Sequence, residues 1–181
     1  MLGNKLLLGE KVLLNAVTKE DLPQYAEWFA NLDLLILLRE GGVFPFTLQD
    51  EEEWFEQQRK SEDVTFAIRT RQDQTLIGSC GLMEPNWQAR HAELGIAIGA
   101  PDYWGQGYGS DAVCVLLRYG FLEFNLNRIY LQVYDYNTRG IAAYHKVGFV
   151  EEGRLRQQMF RDGQYHDIVW MSILRAEWAD S

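Results

Sequence analysis

The chain has 181 residues, and 26 Asp and Glu against 17 Lys and Arg give it a formal charge of −9. This length predicts one domain over residues 1–181, and 47% hydrophobic with 24% charged residues describes a globular protein that folds without disulfides or metal. The acidic balance excludes a general nucleic-acid binder, and Cys80 and Cys114, which lie in no C-x-x-C or Cys/His cluster, exclude a disulfide framework and a structural zinc.

The leucine patch Leu6–Leu8 is too short for a signal peptide or a membrane span, so a cytoplasmic protein without a membrane partner is expected. Residues 10–17 read as a first strand. Thr18 with Asp21 makes a capping pair, Pro23 falls in the first turn, and a helix follows to about Ala30. Leu32–Leu38 is a short apolar stretch ended by Gly41–Gly42. Thr47, Asp50 and Glu51 open a second helix that carries Trp54 and Phe55 toward Lys60. Val64–Arg69, Leu76–Met83 and Glu93–Ile98 are β-rich, the first two joined by a polar turn. Asp111–Phe124 is an apolar helix, Ile129–Tyr134 a strand and Arg139–Lys146 a helix. Phe149–Gln157 and Tyr165–Leu174 close the chain as a strand pair around Asp162–Gly163. The order β-α-α-β-β-β-α-β-α-β-β predicts an α/β (α+β) architecture with one mixed sheet of six to seven strands and about four helices.

The segment from Glu93 to Leu117 carries the strongest chemical signal. A strand ends near Ile98, and glycines at 105, 107 and 109 open directly into a helix. Small residues there let backbone N–H groups converge beside the positive end of the helix, which makes an anion site that needs no Lys or Arg. The spacing Gly-x-Gly-x-Gly is neither the dinucleotide fingerprint nor a triphosphate loop. A helix-entry loop with convenient glycines is the plain alternative, and a nicotinamide-binding oxidoreductase is a remote one.

Further on stands Asn137-Thr138-Arg139-Gly140-Ile141-Ala142-Ala143-Tyr144-His145-Lys146-Val147-Gly148-Phe149. Together the two segments resemble the GCN5-related N-acetyltransferase (GNAT) superfamily, with its pyrophosphate loop Q/R-x-x-G-x-G/A and its helix N-x-x-[SA]-x-x-x-Y-x-K-x-G-F. The wording around Tyr103–Gly109 is similar to the ribosomal-protein N-acetyltransferase-like branch, which includes enzymes acting on polyamines. The resemblance spans about residues 9–178. Two positions depart from it: Trp104 replaces a common Gln or Arg, and Gly140 replaces the usual Ser or Ala, which is expected to loosen that helix.

The resemblance implies the GNAT fold and an acetyl-CoA-dependent N-acetyltransferase acting on a primary amine, either a protein N-terminus or a small molecule such as a polyamine, by direct transfer in a ternary complex. A non-catalytic acyl-CoA-binding module of the same fold is the alternative. It implies that the backbone of Ile96, Ala97 and Ile98 pairs with the pantetheine arm, and that Gln106, Gly107, Tyr108, Gly109 and Ser110 offer amides to the pyrophosphate. Asn137 would touch the cofactor arm. Tyr144 is the implied general acid, since a phenol stays protonated at neutral pH. Glu93 is the carboxylate that could take the ammonium proton, attract a cation, or simply be solvated. His91, His145 and His166 are weaker candidates, and the two cysteines look buried and lack a nearby base. No metal and no nucleic acid are expected, and a homodimer is permitted. The resemblance implies that the acidic run Asp50–Glu53 lies where an acceptor-pocket wall can form, but acidic residues at a helix start also stabilise it by themselves and that is the preferred reading. Trp28, Phe29, Trp54 and Phe55 read as core rather than substrate box.

Overall fold

The computed structural model describes residues 3–39 and 41–179. Its sheet has seven strands: β1 (Val12–Ala16), β2 (Val64–Thr70), β3 (Leu76–Asn86), β4 (His91–Ile98), β5 (Arg128–Tyr134), β6 (Val150–Arg161) and β7 (Gln164–Leu174). They lie in the order β1-β2-β3-β4-β5-β7-β6, antiparallel except where β4 meets β5. Five α-helices lie among the described residues: α1 (Leu22–Phe29), α2 (Leu32–Leu35), α3 (Leu48–Gln58), α4 (Tyr108–Leu122) and α5 (Thr138–Val147).

Local chemistry explains where the elements depart from the sequence reading. Pro23 has no N–H to close a bond onto Lys19, so the first turn is 3₁₀, with Leu22 N–H on Lys19 O, and α1 begins only at Leu22. Leu32–Leu38 is not merely an apolar stretch. Asn31 caps Asp33 N–H at 2.9 Å, and Leu32–Leu35 become the short helix α2, which buries Leu34 and Leu35. Helix α4 starts three residues earlier than expected because Gly107, at φ 86°, is its left-handed cap.

The core lies largely under α4. Val113, Leu116, Leu117 and Phe121 pack with Leu82, Leu94 and Ile129, all 4% exposed or less. Each such side chain contributes roughly 1.5–3 kcal/mol by leaving water. A Cβ at Gly120 would stand 2.7 Å from Ile129 Cδ1, so a larger residue would force the Ile129 side chain to move.

What positions the site is a defect in the sheet. The parallel ladder between β4 and β5 runs from His91–Arg128 to Glu93–Tyr130 and stops. Beyond it β3 holds β4 out to the Gly78–Ile98 pair, while β7 holds β5 out to Tyr134–Ile168. Each strand follows its own partner, and the sheet's twist draws them apart. Residues 94–98 of β4 are thus left with one open edge.

Candidate active site

Along that edge the backbone alternates. Gly99 N–H bonds Ile77 O at 2.9 Å, so the polar groups of Gly99, Ala97 and Gly95 face β3 and those of Ile98 and Ile96 face the opening. Ile96 and Ile98 are therefore the residues whose backbone can receive an added strand, and Ala97 is the wall between them. Ile98 O already accepts the indole N–H of Trp104 at 2.7 Å, and Arg139 lies over that indole at 4.3 Å. Trp104 thus closes one carbonyl at the mouth of the split.

A groove of about 360 Å³ follows the edge. Ile96, Ala97, Ile98, Gly107, Gly109, Ser110, Asn137 and Tyr144 all line it, although they come from separate segments of the chain. Gly105 (φ 72°) and Gly107 (φ 86°) turn the loop into α4. The first intrahelical bond is Asp111 N–H to Gly107 O at 3.0 Å, so the amides of Tyr108, Gly109 and Ser110 precede it and have no carbonyl in the helix. A Cβ at Gly109 would meet nothing closer than Ile98 Cγ1 at 3.6 Å. Its absence is not required by packing within the chain, and it leaves room on the groove side.

Gln106 and Tyr108 take a different place: neither lines the groove. The Gln106 side-chain amide donates to Asp102 O, the Gln106 backbone carbonyl accepts Lys11 Nζ at 2.9 Å, and the Tyr108 ring faces Lys11 and Tyr103. Asn137 caps α5, its Oδ1 accepting Gly140 N–H at 3.0 Å. A Cβ at Gly140 would come within 2.8–3.0 Å of that side chain. Instead of loosening α5, this glycine makes room for the cap. Asn137→Ala costs about 1 kcal/mol of stability, read as a lower Tm.

Tyr144, half-buried on α5, packs 5.8 Å from Phe149 and lines the groove. Burial pushes its phenol up to about 12, so it is protonated at neutral pH. His145, one residue on, points away and bonds Phe149 O at 3.2 Å through Nδ1, as the 100° helical step requires. His91 packs on Tyr130, and His166 pairs with Asp135 at 3.1 Å. Burial also raises both cysteine thiols, which disfavours a thiolate nucleophile. Glu93 is the last β4 residue paired to β5, and its Oε1 accepts Gln132 Nε2 at 3.3 Å. It lines neither the groove nor the cavity described next.

On the other side of Ile96 and Ala97 lies a second cavity of about 700 Å³, walled by α1, α3 and the strands β3 and β4. Phe29 and Trp54, read from sequence as core, line it together with Tyr25, Phe46 and Arg39. The acidic run differs more. Asp50 does cap α3, accepting Thr47 N–H at 2.7 Å, but Glu51 is only 3% exposed and faces the cavity. Burial, aided by the neighbouring Asp50 charge, pushes its carboxyl up to about 7 from an ordinary 4.5. The sequence did hold a signal for this: Glu51 stands three and four residues before Trp54 and Phe55, on the face α3 turns inward.

The raised carboxyl has a thermodynamic consequence. Between about 4.5 and 7 the folded protein holds a proton that the unfolded chain has lost, so stability is full below that window and falls as pH rises through it. The loss amounts to about 3.5 kcal/mol, because each tenfold change in a protonation equilibrium corresponds to about 1.4 kcal/mol. Glu51→Gln removes it, so in thermal melts the variant's advantage over wild type grows between about pH 5 and pH 8.

Comparison with known proteins agrees with this geometry. A model of the acetyltransferase (GNAT) domain matches residues 11–150. An uncharacterized prophage-derived N-acetyltransferase of Bacillus subtilis is 28% identical over 93% of both chains. A spermidine N(1)-acetyltransferase of Vibrio cholerae is 39% identical over 57% of this chain and 59% of its own length, so the alignment spans little more than half of that protein. In three dimensions the match is longer. The crystal structure of the Vibrio cholerae spermidine N-acetyltransferase in complex with CoA and spermine superposes with a TM-score of 0.82 at 30% identity, over 92% of this chain and 96% of that one. With the split sheet and the glycine-capped helix in place, these matches show that the chain belongs to the GNAT acetyltransferase family.

Proposed function

We propose that this protein transfers the acetyl group of acetyl-CoA directly to a primary amine of a cationic small molecule of the polyamine type. One observation carries the reading: two recesses, one beneath the glycine-capped helix and one walled by acidic and aromatic side chains, share Ile96 and Ala97 as their common wall. A thioester held in the first and an amine held in the second meet at that wall.

The groove fits acetyl-CoA as substrate. The amides of Tyr108, Gly109 and Ser110 and the positive end of the 15-residue helix α4 suit a pyrophosphate. The open-edge groups of Ile96 and the N–H of Ile98 suit the amides of a pantetheine arm. In the transfer the amine nitrogen bonds to the acetyl carbon, the C–S bond breaks, and the departing sulfur takes the Tyr144 O–H proton. The phenolate regains a proton shed by the new amide nitrogen, so Tyr144 ends the cycle as it began.

A polyamine acceptor is supported by the acidic residues Asp50, Glu51 and Glu53 on the acceptor side and by the relatives that act on spermidine. The test is calorimetric titration of acetyl-CoA followed by a free-thiol assay against a panel of amines. Binding with thiol release, strongest for di- and polyamines, is the expected result. Release with peptide N-termini alone moves the acceptor to proteins, and binding without release from any amine removes the enzymatic reading.

A further inference from the structure

Carboxylates are rarely buried without a partner, yet Glu51 is. It is 3% exposed in the acceptor-side cavity, and among the described residues no side chain donates a hydrogen bond to it. None of the titratable or charged groups around it bonds to it. From α1, the Tyr25 hydroxyl donates to Gly78 O at 3.5 Å. On its own helix, Asp50 is engaged by Thr47 and Glu53 by Gln49 at 3.0 Å, and neither is a donor. The titratable group from β3 is the buried thiol of Cys80. Beyond α2, Arg39 lines the same cavity with its guanidinium over the rings of Phe44 and Phe46, at 5.2 and 4.7 Å, and its Nη1 is buried with no hydrogen bond. Among the described residues no side chain forms an ion pair with Glu51, so an ammonium group entering the cavity meets a carboxyl that nothing else engages.

The cavity reaches from Glu51 to Ile96 and Ala97, the wall shared with the acetyl-CoA groove. We propose that Glu51 receives the ammonium group of the acceptor and takes its proton before transfer. This rests on the acceptor reading above. The ammonium N–H proton passes to a Glu51 carboxylate oxygen, leaving a neutral amine whose lone pair attacks the acetyl carbon. Glu51, now a carboxylic acid, returns the proton to solvent after the product leaves. A carboxyl poised near neutrality suits that exchange at physiological pH. Glu93, the carboxylate that the family resemblance suggests, is bonded to Gln132 and sits three residues before Ile96, roughly 10 Å along the strand.

Glu51→Gln and Glu51→Asp, compared with wild type using spermidine and acetyl-CoA, test this. In Glu51→Gln, kcat/KM for spermidine falls about 100-fold. Spermidine affinity by calorimetry falls about tenfold, the scale of a lost charged hydrogen bond. Acetyl-CoA affinity stays within about twofold, because Glu51 does not line its groove. Wild type shows kcat/KM rising with pH to a bend near neutrality; Glu51→Gln lacks that limb, and Glu51→Asp restores it at a reduced rate. Wild-type spermidine affinity in Glu51→Gln overturns the assignment, as does a limb that persists there or vanishes instead in Glu93→Gln. If wild type binds spermidine but releases no thiol, the transferase reading fails, while the affinity comparison still decides what Glu51 holds.

Discussion

Tyr144→Phe lowers kcat about 100-fold and leaves the acetyl-CoA Kd within about twofold. The phenyl ring keeps its packing on Phe149 and on the main core, so the groove retains its shape and the fold loses little stability. Only the O–H disappears. Wild type holds that proton because burial pushes the phenol up to about 12, far above working pH. The effect is bounded because a thiolate is a tolerable leaving group, with a free-thiol pKa near about 8.5. Steady-state kinetics beside calorimetry separates the roles: a lower kcat at constant Kd marks an interaction made only in the transition state. Equal turnover in the two proteins would remove Tyr144 from the mechanism, and weakened acetyl-CoA binding would make it a cofactor contact instead.

Asp111→Ala costs about 3 kcal/mol of stability. Its carboxylate accepts the N–H groups of Glu10, Lys11 and Val12 at 3.1, 2.8 and 2.9 Å, tying β1 to the first turn of α4. Val12 is fully buried, so its amide has no route to water once the carboxylate is gone. Gly9 shows how closely the groups fit: a Cβ there would lie 2.4 Å from Asp111 Oδ2. For a chain of this size the loss corresponds to a Tm lower by about 10 °C. Because Lys11 also holds Gln106 O, loosening β1 loosens the glycine loop, and acetyl-CoA affinity falls as well. Asp111→Asn keeps one acceptor oxygen and loses about half as much stability; equal losses in the two variants would show that the charge, and not the hydrogen bonding, secures the joint.

Much of the site was legible because its chemistry is local. Gly105, Gly107 and Gly109 predict a loop whose amides converge at a helix start, and two of them do adopt left-handed backbone there. Asn137 and Tyr144 lie seven residues apart on one short helix, so their spacing alone places both along the same groove. Gln106 and Tyr108 belong to the same motif, yet their side chains turn toward Asp102 and Lys11. Sequence spacing along a loop does not state which way each residue faces.

The sequence by itself determined the family, the strand order, the glycine turn into a helix and the protonated phenol, because each depends on residues within one or two turns of one another. Tertiary structure alone decided three other matters. One is the gap between β4 and β5, which arises from competition between β3 and β7 for two adjacent strands. Another is the conversion of Glu51 from a helix-start charge into a buried carboxylate, which required α1, β3 and the Arg39 segment to close around α3. The last is the distance between Glu93 and the opening, set by where the parallel ladder ends. Burial and strand separation are properties of what packs against a residue, and those neighbours come from elsewhere in the chain.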